Sequence, residues 1–418
     1  MASVSIDGTD VTQYCTVPDP VGGKGISWKR RGGRPSTLVL RGPRQYLPAT
    51  VGVSVAQLSG IGAGFTGVLW QADDRGNDTD VWTELTFADP TVYFPKRIVK
   101  DGEDSTGRTC VGDVIADPGN FSDPSIIEDF LYGPTIMAAA VDNSNALDGD
   151  FGPTGLSVGG VSLDLGIDLT GVRPASWPIT LDGLRAMLAN GGVCDYIVNG
   201  TSVSFYEGNA GGPSGASFEY GTGSGNCVGF QRSITMDNVF NVVWSFLGPK
   251  EPQCDLDVQH WRGNITIDDS PLGPNGGIED RPKAPDFGEY VGIPDPPFTE
   301  IAAQALASRA TYGRMQTVDE YDAYTDERTI AQKRNKRRLY QMLWLRKSLY
   351  CANPKQMVTM IPQPGLTPSF DVYDTVNVAV GPSGGSFSGE QRIFEFTCDI
   401  DTEGVAQLSE LVTSPNLG

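Results

Sequence analysis

The chain reads as mainly β with short helices, an α+β protein, on two observations. Its 418 residues include 52 glycines and 29 prolines, and turn punctuation recurs about every ten residues. Between the turns, apolar and polar residues alternate with the two-residue period of half-buried strands, and a helical period appears only locally. A chain of this length is not expected to fold around one core, and roughly two to four domains are anticipated.

The first hundred residues are strand-like. Leu38 and Leu40 alternate with Ser36, Val39 and Arg41; Val51, Val53 and Val55 share one face, as do Val81, Thr83, Leu85 and Phe87. The polar run from Asp73 to Asp80 separates two strands and reads as a hairpin tip. It is dense in aspartate, but its spacing does not match the DxDxDG calcium loop, so no metal is assigned to it.

Asp123-Pro124 has an N-cap acceptor followed by proline at the first helical position, with Ile126, Ile127, Phe130 and Leu131 on one face. A glycine-rich β passage follows. Thr180 then caps a short helix whose Leu181, Leu184 and Leu188 face inwards, and Asn199-Gly200 signals a type I′ hairpin between Asp195 and Tyr206. Residues 208 to 226, rich in glycine and serine, are expected to form a mobile loop.

Strands resume at Arg232–Thr235 and Val239–Trp244. Asp268 to Pro297 is dense in proline, glycine and aspartate and reads as a linker or extended arm. Thr299 opens a helix that Gly313 closes, and Asp326 to Tyr350 forms a longer one with Ala331, Leu339, Met342, Leu345 and Leu349 on a single face. The last strands place Val376, Val378 and Val380 on one face and Phe394, Phe396, Cys398 and Ile400 on another, with a hairpin turn at Asp401–Gly404. The sequence stops within fifteen residues of that turn, so no further domain is expected.

The formal charge is −20, and such a surface repels phosphate, which argues against tight binding of free nucleic acid. The charge is uneven. Residues 101 to 170 hold 13 acidic side chains and one basic one, Arg108, whereas Lys24, Lys29, Arg30, Arg31, Arg34, Arg41 and Arg44 make the first fifty basic. Two readings fit: solvated faces on separate domains, or complementary surfaces that meet between subunits. The seven cysteines (15, 110, 194, 227, 254, 351 and 398) form no CxxC pair or disulfide framework. Reduced thiols in a cytoplasmic folding environment are therefore expected. The N-terminus lacks the basic start and apolar run of a signal peptide, and no apolar stretch approaches the roughly 20 residues of a membrane span.

No catalytic motif emerges. The one histidine, His260, sits in Asp257-Val258-Gln259-His260-Trp261-Arg262, which contains no nucleophile elbow; with Cys254 it supplies only half a metal site. The glycine-rich runs at 22–25 and 60–64 are not followed by the helix a phosphate cradle requires. Neither a catalytic residue nor a cofactor site is assigned. The long helix carries Lys333, Arg334, Lys336, Arg337 and Arg338, the candidate partner-contact residues. They suit a solvated face, docking onto an acidic partner or onto the chain's own 101–170 region, or contact with DNA.

Taken in order, several elements resemble the phage tail hub family, the baseplate hub of contractile tails and its tail-tip equivalent in siphophages, often labelled minor tail protein. The opening Val4-Ser5-Ile6-Asp7-Gly8-Thr9-Asp10-Val11-Thr12 is similar to its first strand and turn. Ile126–Leu131 looks like the helix that begins its inserted domain, and Thr180 to Tyr206 like the helix and hairpin that follow. Asp237–Val243 resembles the strand returning to the tube-like core; Arg309–Gly313, the long helix and Asp371–Val378 resemble the remaining arm and final barrel strands.

The resemblance implies two tail-tube-like β-barrels per chain with inserted α/β arms. The first barrel would span 1–100, an inserted α+β domain 101–230, the second barrel 231–265 and 352–418, and a Pro-rich linker and helical arm 266–351. Three chains would form a pseudo-sixfold ring adapting a sixfold tail tube to a threefold tip around the DNA exit channel. The partners implied are a homotrimer, the distal tail protein, the tape measure protein, tip or fibre proteins, and phage DNA in transit without specific binding. The protein would be made in the bacterial host cytoplasm and reside in the virion. Two other functions remain open: a tail-associated cell-wall hydrolase acting through a carboxylate pair or His260, and a receptor- or carbohydrate-binding tail module anchored by Trp177 or Trp261.

Overall fold

The computed structural model describes residues 1–15, 25–62, 64–76, 81–99, 133–149, 151–163, 172–174, 180–190, 194–207, 210–223, 225–237, 239, 242–247, 264–267, 278–281, 307–308, 310–313, 315–321, 323–325, 354–381, 387–401 and 403–415. They are mainly strand. In chain order these are β1 (Ser3–Ile6), β2 (Thr9–Asp10), β3 (Ile26–Arg31), β4 (Thr37–Pro43), β5 (Val55–Ser59), β6 (Phe65–Gly76) and β7 (Val81–Ala88). Next come β8 (Ser157–Leu163), β9 (Val172–Pro174), β10 (Asp195–Asn199), β11 (Ser202–Glu207), β12 (Pro213–Tyr220), β13 (Cys227–Thr235), β14 (Val242–Leu247) and β15 (Asn264–Ile267). The last seven are β16 (Ile278–Arg281), β17 (Gln316–Tyr321), β18 (Ala323–Thr325), β19 (Lys355–Pro362), β20 (Thr375–Val380), β21 (Phe387–Ile400) and β22 (Ala406–Pro415). The helices are α1 (Thr12–Cys15), α2 (Gly133–Asp148) and α3 (Leu181–Asn190), with short 3-10 turns between strands.

One sheet joins the two ends of the chain. Its hydrogen-bonded order is β13-β19-β22-β21-β3-β4-β7-β6-β5-β1-β2, with β20 on β21 and β12 parallel to β20. The pivot is β21, whose 14 residues pair with β22 along most of their length. Its first half also pairs with β20 and its second half with β3 (Glu395 to Arg31 through Ile400 to Ile26). A ladder of edge-to-face aromatics runs beneath. Trp28 meets Phe396 at 5.6 Å between ring centroids, Phe396 meets Phe370 at 5.5 Å, and Phe370 meets Phe218 at 5.8 Å. Such pairs add about 0.5–1.5 kcal/mol each beyond the area they bury. Smaller two-stranded ladders pair β14 with β17, β15 with β16, and β18 with β9.

Three expectations about local structure change. Val51 and Val53 lie exposed in a turn, and the strand starts only at Val55. The Gly/Ser-rich 208–226 stretch contains β12, which Phe218 anchors in the core; the Asn226 side chain ties β12 to the approach of β13 by accepting from the Glu219 amide and donating to the Ser217 carbonyl, each at 2.8 Å. In β21 the alternation changes phase. Ile393 pairs with Thr413 and Glu395 with Val412, so Phe394 is an extra residue. That β-bulge turns Phe394 outward and gives its inward place to Ile393, which is fully buried.

A second core lies to the side. It contains Phe94 and Val99 after β7, Ile136, Met137, Ala140 and Val141 of α2, Leu181, Leu184 and Leu188 of α3, and Tyr196, Val198, Val203 and Phe205 of the β10–β11 hairpin. The expected cap forms: the Gly183 amide donates to the Thr180 hydroxyl at 3.0 Å. The hairpin turn differs in detail from the expectation. Asn199 pairs with Ser202, so the central residues are Gly200 and Thr201, and Gly200 at φ +61 takes the first central place, as a type II′ turn requires. The hairpin adds β8 in parallel to β11, completing a three-stranded sheet.

Residues 307, 308 and 310–312 are helical and Gly313, at φ +78, ends them. The start of that helix at Thr299, the helix at Asp123-Pro124 and the long basic helix lie outside the described residues. Among the described residues, no helix is long and apolar enough to cross a membrane.

Candidate functional site: a polar junction between two cores

Strand β10 is shared between the two cores by its own alternation. Tyr196 and Val198 point into the second core, whereas Ile197 belongs to the core of the large sheet. A strand's side chains alternate between its faces, so Asp195 and Asn199 lie on the same side as Ile197. Both meet the large sheet through polar contacts.

At the Asn199 end the partner is Arg30, on β3. Its side chain is only 3% exposed. Nε and Nη2 grip the two oxygens of Asp371 at 2.9 and 2.8 Å, Nη2 also donates to Asn199 Oδ1 at 2.7 Å, and Nη1 donates to the Val198 carbonyl. A guanidinium suits this task because its planar fork matches a carboxylate and keeps its charge when buried. Three parts of the chain, around residues 30, 199 and 371, meet at this one side chain.

At the Asp195 end the partner is Tyr373, whose hydroxyl donates to Asp195 Oδ1 at 2.6 Å. Burial, and then the Asp195 carboxylate, push this phenol well above its ordinary pKa, so it remains a donor. Tyr373 sits at φ +71, a left-handed conformation that side-chain-bearing residues seldom adopt. The turn Asp371–Asp374 fixes it there: the Tyr373 amide donates to the Ile393 carbonyl at 2.7 Å, and the Asp371 amide to Asp374 Oδ2 at 2.8 Å. Buried Arg392 lies 4.7 Å above the ring and donates to the carbonyls of Tyr373 and Ala210. Gly32 and Gly211 are required by close approach: a Cβ on either would come within 2.5 Å of Tyr373 atoms.

Behind β10 lies a third polar cluster. The fully buried Asp89 accepts from the amides of Ser36 and Thr91 and from the Thr91 hydroxyl, which in turn accepts from Tyr196 at 3.4 Å. Burial raises the Asp89 pKa despite those donors and the positive charge of Arg30. Burial, then the neighbouring Asp89, also raises that of Tyr196. The arrangement holds three segments in register.

Most of the other N-terminal cations are paired inside the chain. Lys29 and Arg31 share Glu395 at 2.7 and 2.8 Å, Arg41 binds Glu84 at 2.5 Å, and Arg44 lies 3.8 Å from Asp74. The sequence pointed to the basic cluster but not to Arg30 within it, since its partners are 168 to 341 residues away. The five candidate contact residues Lys333, Arg334, Lys336, Arg337 and Arg338 lie outside the described residues, as do His260, Cys254, Trp177 and Trp261. Asp73 and Asp74 are on β6, at the start of the expected hairpin tip. Among the described residues, no group of histidine, cysteine or carboxylate side chains could hold a metal ion. Cys15, Cys194, Cys227 and Cys398 are buried.

No protein-family model matches the sequence, and no curated protein does. Solved structures do. A tail protein from Neisseria meningitidis MC58 is similar over 99% of this chain and 96% of its own, with a TM-score of 0.52 at 9% identity. The 43 kDa tail protein of prophage MuSo2 from Shewanella oneidensis is similar over 99% and 98%, with a TM-score of 0.54 at 11% identity. The chain shares the fold of phage tail proteins along nearly its whole length.

Proposed function

We propose that this chain, with its tail-protein fold, is a non-enzymatic structural component of a bacteriophage tail tip. Three copies form a hub that adapts a sixfold tube to a threefold tip and surrounds the channel through which DNA leaves. The observation that carries this reading is the end-to-end likeness to two tail proteins. An accessory module would be expected to match only part of such a protein.

In this reading residues 1–100 supply one tube-like barrel and residues 231–265 with 352–418 the other. Residues 101–230 form an inserted domain and 266–351 an arm. The strand order of the described residues ends at β2 and β13, and unpaired strand edges are surfaces that neighbouring copies can complete. The net charge of −20 suits a channel past which DNA slides without sticking. Lys333, Arg334, Lys336, Arg337 and Arg338 are the proposed contacts to other tail proteins, among them the distal tail, tape measure and tip or fibre proteins of a siphophage.

The test is location. Gold-labelled antibodies against the purified chain, applied to particles of the phage that encodes it, should mark the tail tip. Label on the head, along the tube, or on no part of the virion would overturn the proposal.

A further inference from the structure

The contact between the second core and the large sheet has an unusual composition. Along β10 it reads polar, apolar, polar: Asp195 to Tyr373, Ile197 into the large core, and Asn199 to Arg30. Backbone ties run beside them: the Gly33 amide donates to the Tyr196 carbonyl at 3.4 Å, and Gly200 in the hairpin turn bridges to Phe65 on β6. By contrast, the second core has an apolar set of its own, drawn from two helices, a hairpin and the segment after β7, whose Tyr93 meets Trp70 of the large sheet edge to face. Interfaces with polar contacts of this kind permit relative motion of the units they join unless they are large and hydrophobic.

The opposing surface is also held under tension. Tyr373 keeps its left-handed backbone while its ring is pinned between the Asp195 carboxylate and the Arg392 guanidinium, with Gly32 and Gly211 clearing space for it. Strain of this sort persists only where surrounding contacts enforce it, and it collects at elements that switch.

We infer that the Arg30–Asn199 and Tyr373–Asp195 contacts form a latch, which holds the β10–β11 hairpin and its core against the large sheet and whose release lets that unit swing away while both cores stay folded. The latch is a property of the single chain and does not depend on which assembly the chain enters. Opening would uncover Ile197 while leaving Cys398, deep in the core of the large sheet, protected.

Native-state thiol labelling tests this, with Ile197→Cys as the reporter and native Cys398 as the internal control. The reporter is made in the otherwise unchanged chain and together with Tyr373→Phe and Asn199→Ala. Each of these last two removes one hydrogen bond without touching Arg30, whose loss could unfold the chain. The latch predicts that position 197 labels faster than Cys398 in the unchanged background. In the double variant it should accelerate at least roughly tenfold, with Cys398 unaltered. Acceleration of both thiols together would mean that the contacts only support the global fold, and no acceleration at 197 would mean that they hold nothing shut; either result overturns the inference.

Discussion

Arg30 concentrates the risk of the structure in one side chain. Replacing it with methionine would leave Asp371, Asn199 and the Val198 carbonyl without their donor, so Arg30→Met should lose about 3 kcal/mol in urea unfolding. Tyr373→Phe should lose only about 1 kcal/mol, since it deletes one hydrogen bond and keeps the ring. Glu395 gives a pH-dependent check. Burial alone would raise its carboxyl, but the hydrogen bonds and charges of Lys29 and Arg31 outweigh that and leave it lowered. A depressed carboxylate contributes stability above its unfolded pKa and loses it as pH falls through the folded value. The stability gap between the native chain and Glu395→Gln should therefore be present at neutral pH and close as the pH falls below the ordinary glutamate range. A Glu395→Gln variant that follows the native chain in parallel down to acid would contradict this. Burial pushes Cys15 and Cys398 up to about 12. Neither thiol should react with an alkylating reagent at pH 8 until the chain unfolds, as mass spectrometry would show.

Strand identity was readable where burial follows a plain two-residue period. Val376, Val378 and Val380 of β20 are all buried as the alternation implies, and Thr180 caps the helix whose leucines face inwards. The period failed where a backbone irregularity interrupts it. Phe394, Phe396, Cys398 and Ile400 look like one face in the sequence, but the bulge in β21 puts Phe394 at the surface and Ile393 inside. Ile393→Ala should accordingly cost about 2–4 kcal/mol and Phe394→Ser less than about 1, measured by denaturant midpoint; the reverse order would argue against the bulge. Strand β12 was missed for a different reason. Glycine and serine weigh against a strand locally, and only the distant Phe370 shows why Phe218 is anchored. Likewise the Asp195–Tyr206 hairpin was legible, but the use of alternate residues of β10 to serve two cores was not, because neither core is visible from those five residues.

The two ends of the chain close on one another through β3 and β21, so the parts expected to form separate barrels share one sheet and an aromatic ladder from Trp28 to Phe218. Under the proposed function, that continuity would keep two modules in a fixed relation within a ring. The order of weak sequence elements pointed to tail proteins, whereas identities of 9% and 11% leave little for direct sequence matching. A closed threefold ring has a defined mass. Light scattering of the purified chain across a concentration series should reach about 130 kDa, three copies of the 44.7 kDa chain, and stay there as concentration rises. A constant mass of one chain, or growth without a plateau, would contradict a closed threefold hub.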